Sequence, residues 1–269
     1  MIFVHDKGRM ANNILQYGHV YAWGREHSCS TMSMRFAYKY PYFHICHTRH
    51  HNFAIYAFAK YAAKLHLIPT VCFDGEHTDM QAAEQQMLHS RMVMVTGWYA
   101  RWYDLFLKYK EDIVRLFAFD DAVEQKVAPL LSNDGRLRLG VHIRRGDYKT
   151  FLGGRFFYSD EQYADVIDRT LAMSGREDVQ IYICGNDPQL NRAYYRQRFG
   201  TERVVFPDGN PGEDLCLFSH CDRLIGPPST FTLVAAMYHD VPLYWVKDPE
   251  QHVTDDSFGH FDRLFREIL

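Results

Sequence analysis

Short apolar runs alternate along the chain with stretches whose apolar residues recur three and four positions apart, the signatures of buried strands and amphipathic helices. Residues 2–5 form the first such run, closed by the polar turn Asp6-Lys7-Gly8-Arg9. A helical pattern follows over 12–26, with Ile14, Leu15, Gly18, Tyr21 and Ala22 on one spacing. Helical spacing returns over 53–67 and 99–119, with candidate strands at 70–73 and 92–95 between them. A further short helix is predicted over 123–131.

The segment Ser132-Asn133-Asp134-Gly135-Arg136 is the clearest break, and beyond it the alternation becomes regular. Strands are predicted at 137–143, 180–184, 203–206, 223–225 and 243–246, and helices at 159–173, 188–199, 213–221 and 230–238. Strands and helices in turn at this spacing imply a parallel, doubly wound sheet. The chain therefore reads as α/β with two halves, an amino-terminal domain over 1–134 and a carboxyl-terminal domain over 135–269. Such sheets bind ligands beyond the carboxyl ends of their strands. In the second half that location belongs to the loops after Ile143, Cys184 and Ile225.

Composition narrows the picture. Apolar residues make up 47% of the 269, enough for a full core, and aromatics 15%. The formal net charge is −3 with dispersed basic residues, which excludes a duplex nucleic acid face but not local anion sites. None of the six cysteines forms a C-x-x-C pair, so reduced thiols are expected. The amino terminus has no basic leader before an apolar stretch, and no later segment is apolar enough to span a bilayer. A cytoplasmic protein is expected, at most peripheral at the inner face of the membrane.

Three loops carry candidate chemistry. Arg144 and Arg145, closing a buried strand, each need an anionic partner. A guanidinium suits phosphate through two parallel hydrogen bonds, and equally suits an ion pair with Asp147 that closes the strand end. Gly226-Pro227-Pro228-Ser229-Thr230-Phe231-Thr232 precedes an apolar helix. Its hydroxyls and N–H groups fit either ordinary capping or a phosphate. Gly185-Asn186-Asp187-Pro188 reads as a turn and helix cap. Asp222, a polar residue just before a strand, either accepts from a nucleobase such as guanine or ends the preceding helix. His44, His47, His50 and His51 lie around Cys46, but their spacing matches no zinc pattern. They are expected to form a polar loop near an acceptor.

Four segments in order resemble the GDP-fucose-dependent inverting fucosyltransferases, most closely the bacterial alpha-1,2-fucosyltransferases. Gly8 to Tyr17 is similar to the family's opening glycine–asparagine loop. His142-Ile143-Arg144-Arg145-Gly146-Asp147-Tyr148 matches its H-x-R-R-x-D-Y element. Ile181 to Asp187 is similar to F-Y-I-F-S-D-D. Asp214-Leu215-Cys216-Leu217-Phe218-Ser219-His220-Cys221, with Ser229-Thr230-Phe231-Thr232, resembles D-L-x-L-M-S-x-C followed by S-S-F-S.

The resemblance implies two Rossmann-like domains of the GT-B glycosyltransferase type, with the donor held by the carboxyl half. It implies that Arg144 stabilises the departing GDP, assisted by Ser229, Thr230 and Phe231. Arg145 and Arg9 are expected at the substrate, His142 and Asp222 near the guanine, and Asn12 at the reacting sugar or acceptor. Asp147 and Asp6 are candidate bases. The expected reaction is fucose transfer to a glycan hydroxyl, alpha-1,2 to galactose, in building a bacterial surface polysaccharide. The partners are a GDP-sugar donor and a glycan or lipid-linked acceptor. No cofactor and no metal are expected. Glycosyl–diphosphate cleavage leaves negative charge that fixed donors must meet, and the sequence offers an arginine pair and a helix start rather than an Asp-x-Asp triplet. The alternatives are a same-fold transferase with another nucleotide sugar and a non-catalytic nucleotide- or glycan-binding protein.

Overall fold

The computed structural model describes residues 1–5, 7–75, 78–131 and 133–268. Contacts divide the chain into two compact units, Met1–Asp121 and Ala122–Leu269. The division falls ahead of the Ser132-to-Arg136 break, so the helix expected over 123–131 closes on the second unit rather than the first.

In the first unit, β1 (Ile2–His5) leads into α1 (Met10–Glu26), then β2 (Thr31–Ser33), α2 (Phe53–Lys64), β3 (Thr70–Cys72), α3 (Met80–His89) and β4 (Val93–Thr96). α4 (Tyr103–Lys108) and α5 (Lys110–Leu116) complete it. The four strands are all parallel, in the order β2-β1-β4-β3. On one face Phe3, Met32 and Met94 pack with Tyr56, Ala59 and Ala62 of α2.

α1 is buried almost all round, polar Asn13, Gln16 and His19 included. Its Gly18 makes room for α4, because a Cβ there would sit 2.4 Å from the Phe106 ring. The helix expected over 99–119 is broken at Tyr109, which caps both α4 and α5. That tyrosine is held outward, its hydroxyl donating to Glu26 at 2.9 Å and its ring lying under Arg25. In this unit β2 and α3 have no counterpart in the hydrophobic pattern. β2 is three residues of mixed polarity, and α3 buries only Ala83 and Met87.

The second unit opens with α6 (Asp121–Val127) and continues through β5 (Leu137–Ile143), α7 (Asp160–Ser174), β6 (Val179–Gly185), α8 (Arg192–Phe199), β7 (Val204–Val205) and α9 (Pro211–Ser219). It ends with β8 (Arg223–Gly226), α10 (Thr230–His239), β9 (Leu243–Trp245) and α11 (Phe261–Leu264). All five strands are parallel, in the order β7-β6-β5-β8-β9. β5 is the central strand and runs apolar from Leu139 to Ile143 except for His142, as a strand covered on both faces should. Val141, Ile143, Ile181, Ile183 and Ile225 pack with Tyr163 and Ile167 of α7 to form one side of the core. No helix among the described residues is long and apolar enough to cross a membrane.

Candidate functional site

The strand order of the second unit locates its site. From β5 the chain steps outward through β6 and β7, then returns to the other side of β5 for β8 and β9. The reversal lies between β5 and β8. In open α/β sheets the loops leaving two such strands part there, and ligands bind in the crevice beyond the carboxyl edge.

The loop after β5 begins with two arginines facing different surroundings. Arg144 pairs with Asp147 through two bonds, Nε to Oδ1 at 3.3 Å and Nη2 to Oδ2 at 2.7 Å. Its guanidinium also lies over the Tyr148 ring, 4.5 Å from the centroid. Its Nη1 edge carries no hydrogen bond to a described residue. Arg145 is buried, and all three of its nitrogens are occupied. Nε donates to the Tyr158 carbonyl at 2.8 Å, Nη2 to Asp160 at 2.6 Å, and Nη1 lies 3.5 Å from Asp187. Arg145, expected at the substrate, is thus placed among three protein partners. Its donors are used up in joining β5 to the start of α7, and a phosphate could reach it only by displacing partly buried carboxylates.

Asn186, from the loop after β6, fixes this turn. Its Oδ1 accepts from the backbone N–H of Arg145 at 3.1 Å and of Gly146 at 3.3 Å, and its Nδ2 donates to Asp147 at 3.4 Å. Gly146 is needed at that spot, because a Cβ would stand 2.9 Å from the Asn186 amide. Asn186 thus serves the neighbouring loop rather than only its own turn.

On the other side of the crevice, Ser229 caps α10, and its hydroxyl accepts from the Thr232 N–H at 3.4 Å. The hydroxyl is buried, 3.1 Å from that of Thr232, which also accepts from the Trp245 indole. The Ser229 side chain, expected at the phosphate, is thus placed as the cap of α10. What this end offers an anion is the first turn of α10, with Thr230 at its start. The Tyr148 hydroxyl donates to the Pro228 carbonyl and so ties the two loops together.

His142 stands on β5 beside Gly226 of β8, where an added Cβ would approach the histidine Cβ to 3.1 Å. Its ring lies 5.0 Å from that of Phe231 and 6.2 Å from that of Phe218 on α9. Four residues before Phe218, on the same side of α9, is Asp214. Its Oδ1 is buried and has no hydrogen-bond partner among the described residues. Burial pushes the Asp214 carboxyl up to about 7, opposed by the Cys184 thiol beside it, with Glu213 and Asp208 adding to the rise. Cys184 in turn is paired in register with His142 across β5 and β6. His142, Phe231 and Phe218 therefore form one aromatic cluster, and Asp214 stands one turn of α9 from Phe218 with Cys184 beside it.

Asp222 does not join them. It precedes β8, so it lies at the amino edge of the sheet, accepting from the Arg138 N–H at 2.7 Å and pairing with the Arg138 guanidinium. Asp222, expected near the guanine, is thus placed at the amino edge of the sheet, whereas Asp214 is a carboxylate at its carboxyl edge. Its segment stood out in the sequence, but nothing in the local pattern marked its side chain as buried.

Arg9 and Asn12 belong to the first unit. Arg9 is exposed at the start of α1, and Asn12 packs on Gly8, whose φ of +89° suits glycine. Gln16 pins the same turn by exchanging bonds of 3.0 Å with both the N–H and the carbonyl of Lys7. Asp6 lies outside the described residues. In the histidine loop, His47 sits 3.1 Å from Asp120 and His50 lies 3.0 Å from the Thr31 carbonyl. Among the described residues, the group placed to hold a metal ion is Glu124, Cys216 and His220, with ligand atoms within 4.8 Å of one another. It lies toward the far end of α9 from Asp214, away from the carboxyl-edge loops.

No family model matches the sequence, and no curated protein matches it either. Solved structures do. A point mutant of Arabidopsis thaliana FUT1 in complex with GDP aligns with a TM-score of 0.64 at 12% identity, covering 96% of this chain and 72% of that one. The fucosyltransferase NodZ from Bradyrhizobium aligns at 0.61 and 11% identity, covering 93% and 96%. POFUT1 in complex with GDP-fucose aligns at 0.53 and 10% identity, covering 89% and 93%. The shared feature is the fold, so this chain has the two Rossmann-like α/β units of the GT-B type.

Proposed function

We propose that the chain is a fucosyltransferase that takes GDP-fucose as donor and passes the sugar to a glycan hydroxyl. The observation that carries this reading is the loop pair at the switch point between β5 and β8, where the Tyr148 ring under Arg144 bonds the residue just before the α10 cap, in a fold shared with fucosyltransferases. A diphosphate in the crevice meets the Arg144 guanidinium on one side and backbone N–H groups on the other, both suited to the charge that grows as the glycosyl bond breaks. The guanine lies beside His142 and Phe231, where the Asp214 carboxylate accepts from its N1–H and amino group.

The acceptor hydroxyl attacks the anomeric carbon from the face opposite the diphosphate and inverts it. Asp147 spends both carboxylate oxygens on Arg144 and serves to position it. Asn12 is the first-unit residue assigned to the sugar, with Arg9 beside it. The charge is met by these fixed donors, with no resident cofactor or metal required. The ordered sequence segments favour alpha-1,2 linkage to galactose in a bacterial surface polysaccharide.

Thermal shift with GDP, UDP, ADP and CDP tests the base. Selective stabilisation by GDP is expected, and an equal response to UDP or ADP would overturn the donor assignment. Release of GDP from GDP-fucose, with and without a panel of galactosides, tests the transfer. A protein that binds GDP-fucose but never releases GDP would be a binding protein instead.

A further inference from the structure

Between Glu26 and Asp74 the chain has no acidic residue, yet it has Arg35, Lys39, Arg49, Lys60 and Lys64. Over the whole chain acids outnumber Lys and Arg by 33 to 30, so this stretch is a positive block in a protein of net charge −3. α2 lies within it. The inner side of α2, Tyr56, Ala59 and Ala62, belongs to the core of the first unit. Its outer side is apolar too. Phe53 is 61% exposed, Phe58 56% and Tyr61 59%, and Leu65 and Leu67, just beyond the helix, are 66% and 73% exposed. Lys60 and Lys64 stand one turn apart at the flank of this row, the Lys60 ammonium 5.9 Å from the Tyr61 ring centre.

A helix lying on a domain in water turns polar residues outward. One exposed leucine needs no explanation, but a continuous apolar row marks an interaction surface. We infer that the outer face of α2 rests on an anionic lipid bilayer. The phenylalanines and leucines enter the boundary between headgroups and acyl chains, while Lys60 and Lys64 meet lipid phosphates. A second protein surface would need only the apolar row. The flanking lysines, and the absence of any acid from the surrounding stretch, favour a negatively charged plane. α2 is 12 residues long, so it lies in the plane of the membrane rather than across it.

Co-sedimentation of the full chain with vesicles tests this. Vesicles of phosphatidylcholine mixed with phosphatidylglycerol are expected to pellet the protein, less so at high salt, and vesicles of phosphatidylcholine alone to pellet little. Lys60→Glu combined with Lys64→Glu should lower partitioning by at least about thirtyfold, and Phe58→Ser combined with Leu65→Ser should also abolish it. All four side chains reach the surface, and circular dichroism of each variant checks that the fold is kept. The inference is overturned if anionic vesicles do not pellet the protein, or if neither double variant changes pelleting. It is also overturned if lipid-free sedimentation velocity shows a dimer that the Phe58/Leu65 variant abolishes, since a second copy would then cover the face.

Discussion

The guanidinium of Arg144 lies 4.5 Å from the centre of the Tyr148 ring, and the hydroxyl of that same ring donates to the Pro228 carbonyl. One side chain thus steadies the arginine leaving β5 and holds the approach to α10 at a set distance from it. The two parts of the proposed donor site are thus coupled before any ligand arrives. Such preorganisation lowers the cost of assembling a charged transition state.

Arg144→Ala should lower donor turnover by about 10²- to 10³-fold, the usual loss when one fixed donor to a developing charge is removed. Its pair with the exposed Asp147 adds little to folding, so the unfolding midpoint in urea should hardly move. Arg144→Lys should restore little, because an ammonium cannot donate as a planar fork. Full turnover in Arg144→Ala would remove this arginine from the reaction.

Its neighbour should behave in the opposite way. Arg145→Ala leaves Asp160 and Asp187 with less to balance them, and a broken buried ion pair costs about 3–5 kcal/mol. Urea denaturation should show that loss directly. If Arg145→Ala kept wild-type stability while losing GDP affinity, its assignment as a structural residue would be wrong.

Asp214 gives a pH signature. Its carboxyl is pushed up to about 7 by burial, well above the range of an unfolded aspartate. The folded protein therefore holds this proton where the unfolded chain has lost it. The stabilisation is present in full below pH 4 or so and is lost as pH rises to about 7. Asp214→Asn should accordingly stabilise the protein at pH 8 more than at pH 5. Guanosine, which lacks phosphates that titrate nearby, should bind the wild type more tightly as pH passes through about 7. In Asp214→Asn that pH dependence should vanish, with affinity at pH 8 down by about tenfold or more. Calorimetry at several pH values checks both, and a flat profile in the wild type would place guanine elsewhere.

Two carboxyl-half residues should prove structural. Asp222→Asn sits at the amino edge of the sheet and should leave GDP affinity unchanged. Ser229→Ala removes a helix cap and should cost about 1 kcal/mol. A tenfold loss of GDP affinity in Asp222→Asn would contradict the placement of the guanine.

The sequence pattern carried the second unit nearly whole, because long apolar strands and well-capped helices of 8–15 residues announce themselves locally. It missed α3 and β2, where neighbours from other elements supply the burial. The position of Asp222 was decidable in principle: in a parallel sheet a residue ahead of a strand lies at the edge away from the ligand loops. Which of Arg144 and Arg145 faces inward was not decidable. Successive residues leaving a strand turn to opposite sides, and the side was set by Asp160 and Tyr158, distant in sequence. Asp214 was hidden for a similar reason, since Cys184 of β6, distant in sequence, lies beside its carboxyl.

Asn186 bonds the backbone of a loop that is not its own. The HIRRGDY heptapeptide consequently has no shape that it could carry elsewhere by itself. Grafted onto the central strand of another Rossmann sheet, it would arrive without the amide that shapes its turn and the aspartate that turns its second arginine inward. The portable module is larger: β5, the start of α7 and the end of β6 together. Substitution along a lineage should follow that unit, with Asn186 and Asp160 changing only when the arginine loop changes with them.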